Sequence, residues 1–144
     1  VFWPKFFGIG RFDFKIKRGK FKLHSGEESS VFYDVNSLLT DSLEFQKIIS
    51  TIPRDKVTYV GIVTGGAIIA RHFSSFAMIK KSELKGEVGQ EYCLIDDVCT
   101  TEGSLREAIS IIGKEPKYIF VVVDRRKEKN LKLISVYDVS NQNH

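Results

Sequence analysis

The sequence predicts an α/β fold: an open, mainly parallel twisted sheet flanked by helices, with a small β-rich segment at its amino end. Three observations carry this. After about residue 40, short β-branched runs alternate with segments of helical period. These runs end in turns rich in glycine or hydroxyl residues. One run, Tyr118 to Val123, is apolar almost throughout, as a parallel strand covered on both faces requires. A single domain is expected over residues 1–144, with 1–36 as the β-rich segment and 37–144 as the α/β core.

Asp41 with Glu44 forms a capping-box variant opening a helix in which Leu43, Phe45, Ile48, Ile49 and Ile52 recur near helical spacing, and Pro53 stops it. Val57 to Val63 is a strand that ends at Thr64-Gly65-Gly66 and leads into a short apolar helix, Ala67 to Phe73. Phe76 to Ile79 is a second short strand. Lys80 to Gly89 is charged, holds two glycines and lacks a sustained period, so it reads as a mobile loop. Tyr92 to Ile95 is the next buried strand, and Ser104 with Glu107 spells an S-x-x-E box ahead of Leu105, Ala108, Ile109 and Ile112. Tyr118 to Val123 is expected at the sheet centre. Within 1–36, aromatic and basic residues alternate through Phe12, Phe14, Ile16, Phe21 and Leu23 without a helical stripe, the pattern of a small β unit.

With 22 Lys+Arg against 18 Asp+Glu the 144-residue chain carries a formal charge of +4, and its 42% hydrophobic content excludes disorder as the main state. So small a surplus defines no nucleic-acid surface. The basic residues Lys15, Lys17, Arg18, Lys20 and Lys22 alternate with apolar strand positions, and no nucleic-acid partner is expected. The longest apolar run, Ile119 to Val123, falls far short of a membrane span and no basic-then-apolar leader opens the sequence, so a soluble, cytoplasmic protein is expected. Cys93 and Cys99 lack C-x-x-C spacing and the three histidines are scattered, so neither a disulfide nor a structural metal is expected.

The most informative stretch is Cys93 to Leu105: an apolar strand, the acids Asp96 and Asp97, a hydroxyl-rich turn, then a helix. The free N–H groups and positive dipole end of that helix favour an anion, and Thr100, Thr101 and Ser104 add hydroxyl donors, so a phosphate fits there. Successive strand-end side chains diverge, so the adjacent acids suit a polyol or a magnesium shell better than a dyad sharing one proton. Sugar-phosphate binding is the inference.

This stretch resembles the phosphoribosyl-pyrophosphate (PRPP) signature of the type I phosphoribosyltransferases, in which an acid pair precedes a T-T-G-G-S-like loop. Gly19 to Asp34, with its F-K-L-H-S-G and Phe32-Tyr33-Asp34, is similar to the amino-terminal segment of the orotate phosphoribosyltransferases, and Gly61 to Ala70 resembles their pyrophosphate loop. Asp124-Arg125 is similar to the family's D-R pair, although a surface ion pair is the other reading of Arg125. The resemblance covers most of residues 19 to 125 in the family's order.

What the resemblance implies is a type I phosphoribosyltransferase fold with a hood at its amino end, and a reaction of orotate with PRPP that yields orotidine 5′-monophosphate and pyrophosphate. It assigns Thr100, Thr101, Glu102, Gly103 and Ser104 to the 5′-phosphate and Asp96 and Asp97 to the ribose. Thr64, Gly65 and Gly66 fall to the pyrophosphate, and His24, Phe32, Tyr33 and Arg125 to orotate. Mg2+ is implied as cofactor, held mainly by PRPP, and a homodimer as the assembly.

Three positions depart from the family's pattern. Glu102 stands where glycine is usual, adding a side chain and negative charge beside the expected phosphate. His24 replaces a lysine, supplying less fixed charge at pH 7. The family's R-K-x-x-K loop, which closes over pyrophosphate with a histidine, is thinned: either Lys80-Lys81 match R-K with Lys85 shifted by one, or Lys81 and Lys85 keep the four-residue spacing. Lys81 and Lys85 are the catalytic candidates beside Asp96 and Asp97. The same departures motivate an alternative, a catalytically impaired nucleotide-binding regulator or partner subunit of the same fold.

Overall fold

The computed structural model describes residues 16–22 and 28–139; Phe12, Phe14 and Leu23 of the expected amino-terminal β unit lie outside the described residues. What is described of that unit is two strands, β1 (Ile16–Lys22) and β2 (Glu28–Tyr33), paired antiparallel with a register shift between Arg18 and Phe21. A four-residue helix follows, α1 (Val35–Leu38), opened by Asp34, whose carboxylate accepts from the Ser37 amide. Helix α2 (Ser42–Ser50) starts where its capping residue predicts: the Glu44 amide donates to Asp41 Oδ1 at 3.1 Å.

The rest builds one six-stranded sheet. Along the chain come β3 (Thr58–Ile62), α3 (Gly65–Ala70), β4 (Phe76–Lys80), β5 (Glu83–Lys85), β6 (Tyr92–Cys99), α4 (Gly103–Ile112), β7 (Tyr118–Asp124) and β8 (Ile134–Asp138). In space the order is β5-β4-β3-β6-β7-β8, with every neighbouring pair parallel except β4 with β5. The predicted α/β class and largely parallel sheet are what the chain forms.

Three expectations need correction. The mobile loop expected from Lys80 to Gly89 opens instead as a hairpin, β5 folding back on β4 through Lys81 and Ser82, both at positive φ (50° and 61°). That is the geometry of a two-residue primed turn, usually filled by Asn-Gly, and Lys-Ser does not advertise it. The sheet centre belongs to β3 and β6; β7, though buried along nearly its whole length, lies one place in from the edge strand β8. Strand β6 also runs on past Ile95 to Cys99, carrying the acid pair within the sheet.

Alternation along the strands divides the core between two faces. Tyr59, Cys93, Ile95 and Phe120 pack with Leu38, Ile48, Ile49 and Ile69 of α1, α2 and α3, while Val60, Leu94 and Val121 pack with Leu105 and Ala108 of α4. Each such side chain removed from water contributes about 1.5–3 kcal/mol. Two buried phenols are tied off, Tyr59 Oη donating to Pro53 O and Tyr92 Oη to Lys114 O, both at 2.6 Å. Among the described residues no helix is long and apolar enough to cross a membrane.

Helix α3 starts in direct backbone contact with the sheet: a Cβ added at Gly61 would overlap the Gly66 carbonyl, and one at Gly66 would overlap that of Ile95. Gly61→Ala therefore has no room to relax. It is expected to lower unfolding free energy by about 1–3 kcal/mol or more, read from the urea midpoint; an unchanged midpoint would show that α3 can move away.

Candidate active site

Parallel pairing sets the carboxyl ends of β3, β6 and β7 along one edge of the sheet, where ligands of open α/β sheets bind. At the end of β6 the chain passes from apolar core to two acids. Alternation puts Asp96 with Leu94 on the α4 face and Asp97 with Ile95 on the α3 face. Each accepts the next amide, Asp97 N to Asp96 Oδ1 at 2.8 Å and Val98 N to Asp97 Oδ1 at 2.7 Å. Burial of Asp96, only 8% exposed, pushes its carboxyl well above the usual carboxylate range, and the charge of Asp97 adds to the push.

On the α4 face a small cavity of about 30 Å³ is lined by Asp96, Cys99, Thr100, Thr101 and Ser104 among others. Cys99 is buried and its thiol donates to the Thr101 carbonyl at 3.1 Å, which fixes the turn from beneath. Helix α4 begins at Gly103, so Ser104 sits inside the first turn rather than at the cap that the S-x-x-E box predicts. The amino-terminal turn of this helix and its positive dipole end border the cavity, which suits an anion.

On the α3 face Asp97 meets the Thr64-Gly65-Gly66 loop, which follows a cis Val63–Thr64 peptide. A Cβ at Gly65 would stand 2.7 Å from both Asn36 Oδ1 and Asp97 Cβ, so the loop touches the acid because it has no side chain there. Asn36 is a site residue that sequence reasoning misses. Its only signal is position, two places after the Asp34 that ends the Phe32-Tyr33-Asp34 motif.

Glu102 is placed otherwise than expected. Its side chain, 7% exposed, turns away from the cavity and into the protein. Oε2 accepts from Arg126 Nη1 at 2.6 Å and from the Asn130 and Leu131 amides at 2.8 Å each, while Oε1 accepts from Arg106 Nη2 at 2.7 Å. Burial alone would raise its pKa, but the two amides and two guanidinium groups outweigh it and hold the carboxylate at about 2. The negative charge is thus spent on partners far along the chain rather than set against a phosphate. Arg126 completes the network with a bidentate pair to Asp124, Nε to Oδ1 at 2.9 Å and Nη2 to Oδ2 at 2.8 Å.

Other predicted residues are distributed unevenly. Arg125 is buried rather than at the surface, and its amide donates to the Cys99 carbonyl at 2.9 Å; Arg126 beside it makes buried ion pairs with Glu102 and Asp124. Lys81 is exposed at the hairpin turn, next to the β3 end, where Val63 N donates to Ile79 O at 3.0 Å. Lys85 is not brought to the site: it stands on β5 opposite Met78 and pairs with Glu83 at 3.0 Å. His24 lies outside the described residues; Phe32 and Tyr33 stand on β2 opposite Lys17 and Ile16, and their side chains are likewise outside them. A larger cavity, about 640 Å³, opens at the amino ends of the strands beside Arg54, Tyr59 and Phe73, and no predicted site residue lines it.

No protein-family model matches the chain. It is 31% identical to the orotate phosphoribosyltransferase of Picrophilus torridus over 159 residues, covering 87% of this chain and 92% of that protein. It is 34% identical to that of Pyrococcus abyssi over 138 residues, covering 78% and 75%. Among solved structures, the orotate phosphoribosyltransferase from Aeropyrum pernix superposes with a TM-score of 0.71 at 25% identity over 88% of this chain and 89% of that one.

Glu102 makes acid stability a direct readout of its placement. A carboxyl held at about 2 in the folded chain against an ordinary 4.5 contributes stability that is complete above 4.5 and is lost as pH falls from there toward 2. Urea midpoints measured from pH 7 down to pH 3 should fall for the native chain. Glu102→Gln should start lower and fall less; parallel curves would place the carboxylate in solvent.

Proposed function

The chain belongs to the orotate phosphoribosyltransferase family, an enzyme family of the glycosyltransferase type, and we propose that it transfers the phosphoribosyl group of PRPP to orotate, giving orotidine 5′-monophosphate and pyrophosphate. The observation that carries this reading is the division of the acid pair. Asp96 lines a hydroxyl-bordered cavity at a helix N-terminus, and Asp97 abuts a glycine loop on the other face. A ribose held at the two acids then has its 5′-phosphate on one side and its pyrophosphate on the other.

In this reading Thr100, Thr101 and Ser104, with the amides of Gly103 and Ser104, bind the 5′-phosphate. Asp96 and Asp97 orient the ribose hydroxyls. Thr64, Gly65 and Gly66 receive the pyrophosphate through closely approaching backbone, and Lys81 on the adjacent turn supplies a cation. Phe32, Tyr33, His24 and Arg125 serve orotate, on the strength of the family pattern. Lys85 is left out of this assignment because it stands on the edge strand β5 opposite Met78, away from the ends of β3 and β6.

Glycosyl transfer of this kind passes through a transition state with oxocarbenium character, so little covalent work falls to the protein. Rate comes from holding the partners in line and stabilising charge on the departing group. Mg2+ would be held by the pyrophosphate oxygens, with Asp97 the carboxylate beside the glycine loop, and would neutralise charge on the leaving group. On the strength of the family pattern we infer a homodimer as the working form and assign it to the cytoplasm.

With orotate, PRPP and Mg2+ the chain should consume orotate, followed by ultraviolet absorbance. Asp96→Asn and Asp97→Asn should each lose about a hundredfold or more in kcat/KM, while Lys85→Ala stays within about twofold. A native chain that leaves orotate untouched would contradict the proposal.

A further inference from the structure

The network around Glu102 does more than bury a charge. Three donors meet on Oε2, and they come from one short segment, residues 126–131, which the same contacts close on itself: Arg126 Nη1 also donates to the Leu131 carbonyl at 2.8 Å. The segment is folded around the carboxylate. Its other end is fixed by Asp124, 3% exposed, whose two oxygens take Nε and Nη2 of Arg126. Between Asp124 and Arg126 stands Arg125, bonded through its amide to the carbonyl of Cys99 at the root of the phosphate-binding turn.

We propose that Glu102 is a positioning residue that locks the phosphate-binding turn to the segment that directly follows Arg125, so that the two loops engage their ligands as one rigid unit. The inference rests on the functional reading above, in which one loop takes the 5′-phosphate and the other the base. It adds a role for a residue that contacts neither. A glycine at position 102 would leave the Asn130 and Leu131 amides without their acceptor and Arg126 with Asp124 as its one carboxylate partner and the Leu131 carbonyl. A fully satisfied buried polar network rigidifies what it joins, whereas removing one member leaves uncompensated charge. Residues 126–131 would then be held to Thr100–Ser104 only through the backbone pairing at Cys99, Asp124 and Arg125, and small misplacements at a site of this kind are costly.

Steady-state kinetics on Glu102→Gln and Glu102→Gly test it. Glutamine keeps an acceptor for the two amides and loses the charge; glycine loses both. The KM values for PRPP and for orotate should rise together, by about tenfold or more for glycine and less for glutamine, with kcat changed by less than about threefold. Folded variants with a lowered melting temperature and both KM values unchanged overturn the proposal, leaving Glu102 a stabilising residue only.

Amide hydrogen exchange on the native chain requires no variant. Adding PRPP should slow exchange at Asn130 and Leu131 along with Gly103 and Ser104. Protection confined to 100–104 overturns the coupling while leaving the substrate reading intact; protection at neither loop overturns that reading and the coupling with it.

Discussion

Parallel pairing of β6 with β3 on one side and β7 on the other is the constraint from which the site follows. Gly61 stands beside Ile95, and Cys99 beside Asp124. The residues that follow, Thr64 to Gly66, Asp96 to Ser104, and Arg125, therefore emerge along one edge without any long-range loop having to find it. The absence of a Cβ at Gly61 and Gly66 lets α3 start directly against this edge. A glycine loop, an acid pair and a hydroxyl turn sit within reach of one small molecule because the buried hydrophobic strands β3, β6 and β7 hold their roots.

Two acids near the turn show opposite electrostatics, and the contrast separates their purposes. Asp96 is buried with little compensation and its pKa is raised; Glu102 is buried with two amides and two guanidinium groups and its pKa falls to about 2. An ionisable group left under-compensated at a cavity is the usual mark of a ligand-facing position, and a satisfied one is the mark of structure. The negative residue that looks most damaging to phosphate binding on paper is thus the one whose charge is already consumed.

Much of this was legible in the residues, and what was not has identifiable causes. Strands β3, β6 and β7 announce themselves as short apolar runs, and Asp41 marks the start of α2, because both depend on neighbours within a few positions. The β4–β5 hairpin hid behind a turn of Lys81 and Ser82 that lacks the usual asparagine or glycine. Strand β8 hid behind the charged run after Asp124, with a half-buried pattern too weak to stand out. The Ser104–Glu107 box pointed to the wrong cap, since the helix starts at Gly103 with its cap two residues earlier, at Glu102, drawn inward. That inward turn depends on partners 24 to 29 residues downstream, a separation no local pattern encodes.

The central claim is that the turn from Asp96 to Ser104 cradles the phosphate of a ribosyl monophosphate. A crystal structure with orotidine 5′-monophosphate tests it most directly. The account predicts the phosphate within hydrogen-bond distance of Thr100, Thr101 and Ser104 at the start of α4, with the ribose at Asp96 and Asp97. Nucleotide bound instead at the opposite end of the sheet, in the larger cavity beside Arg54 and His72, would contradict it.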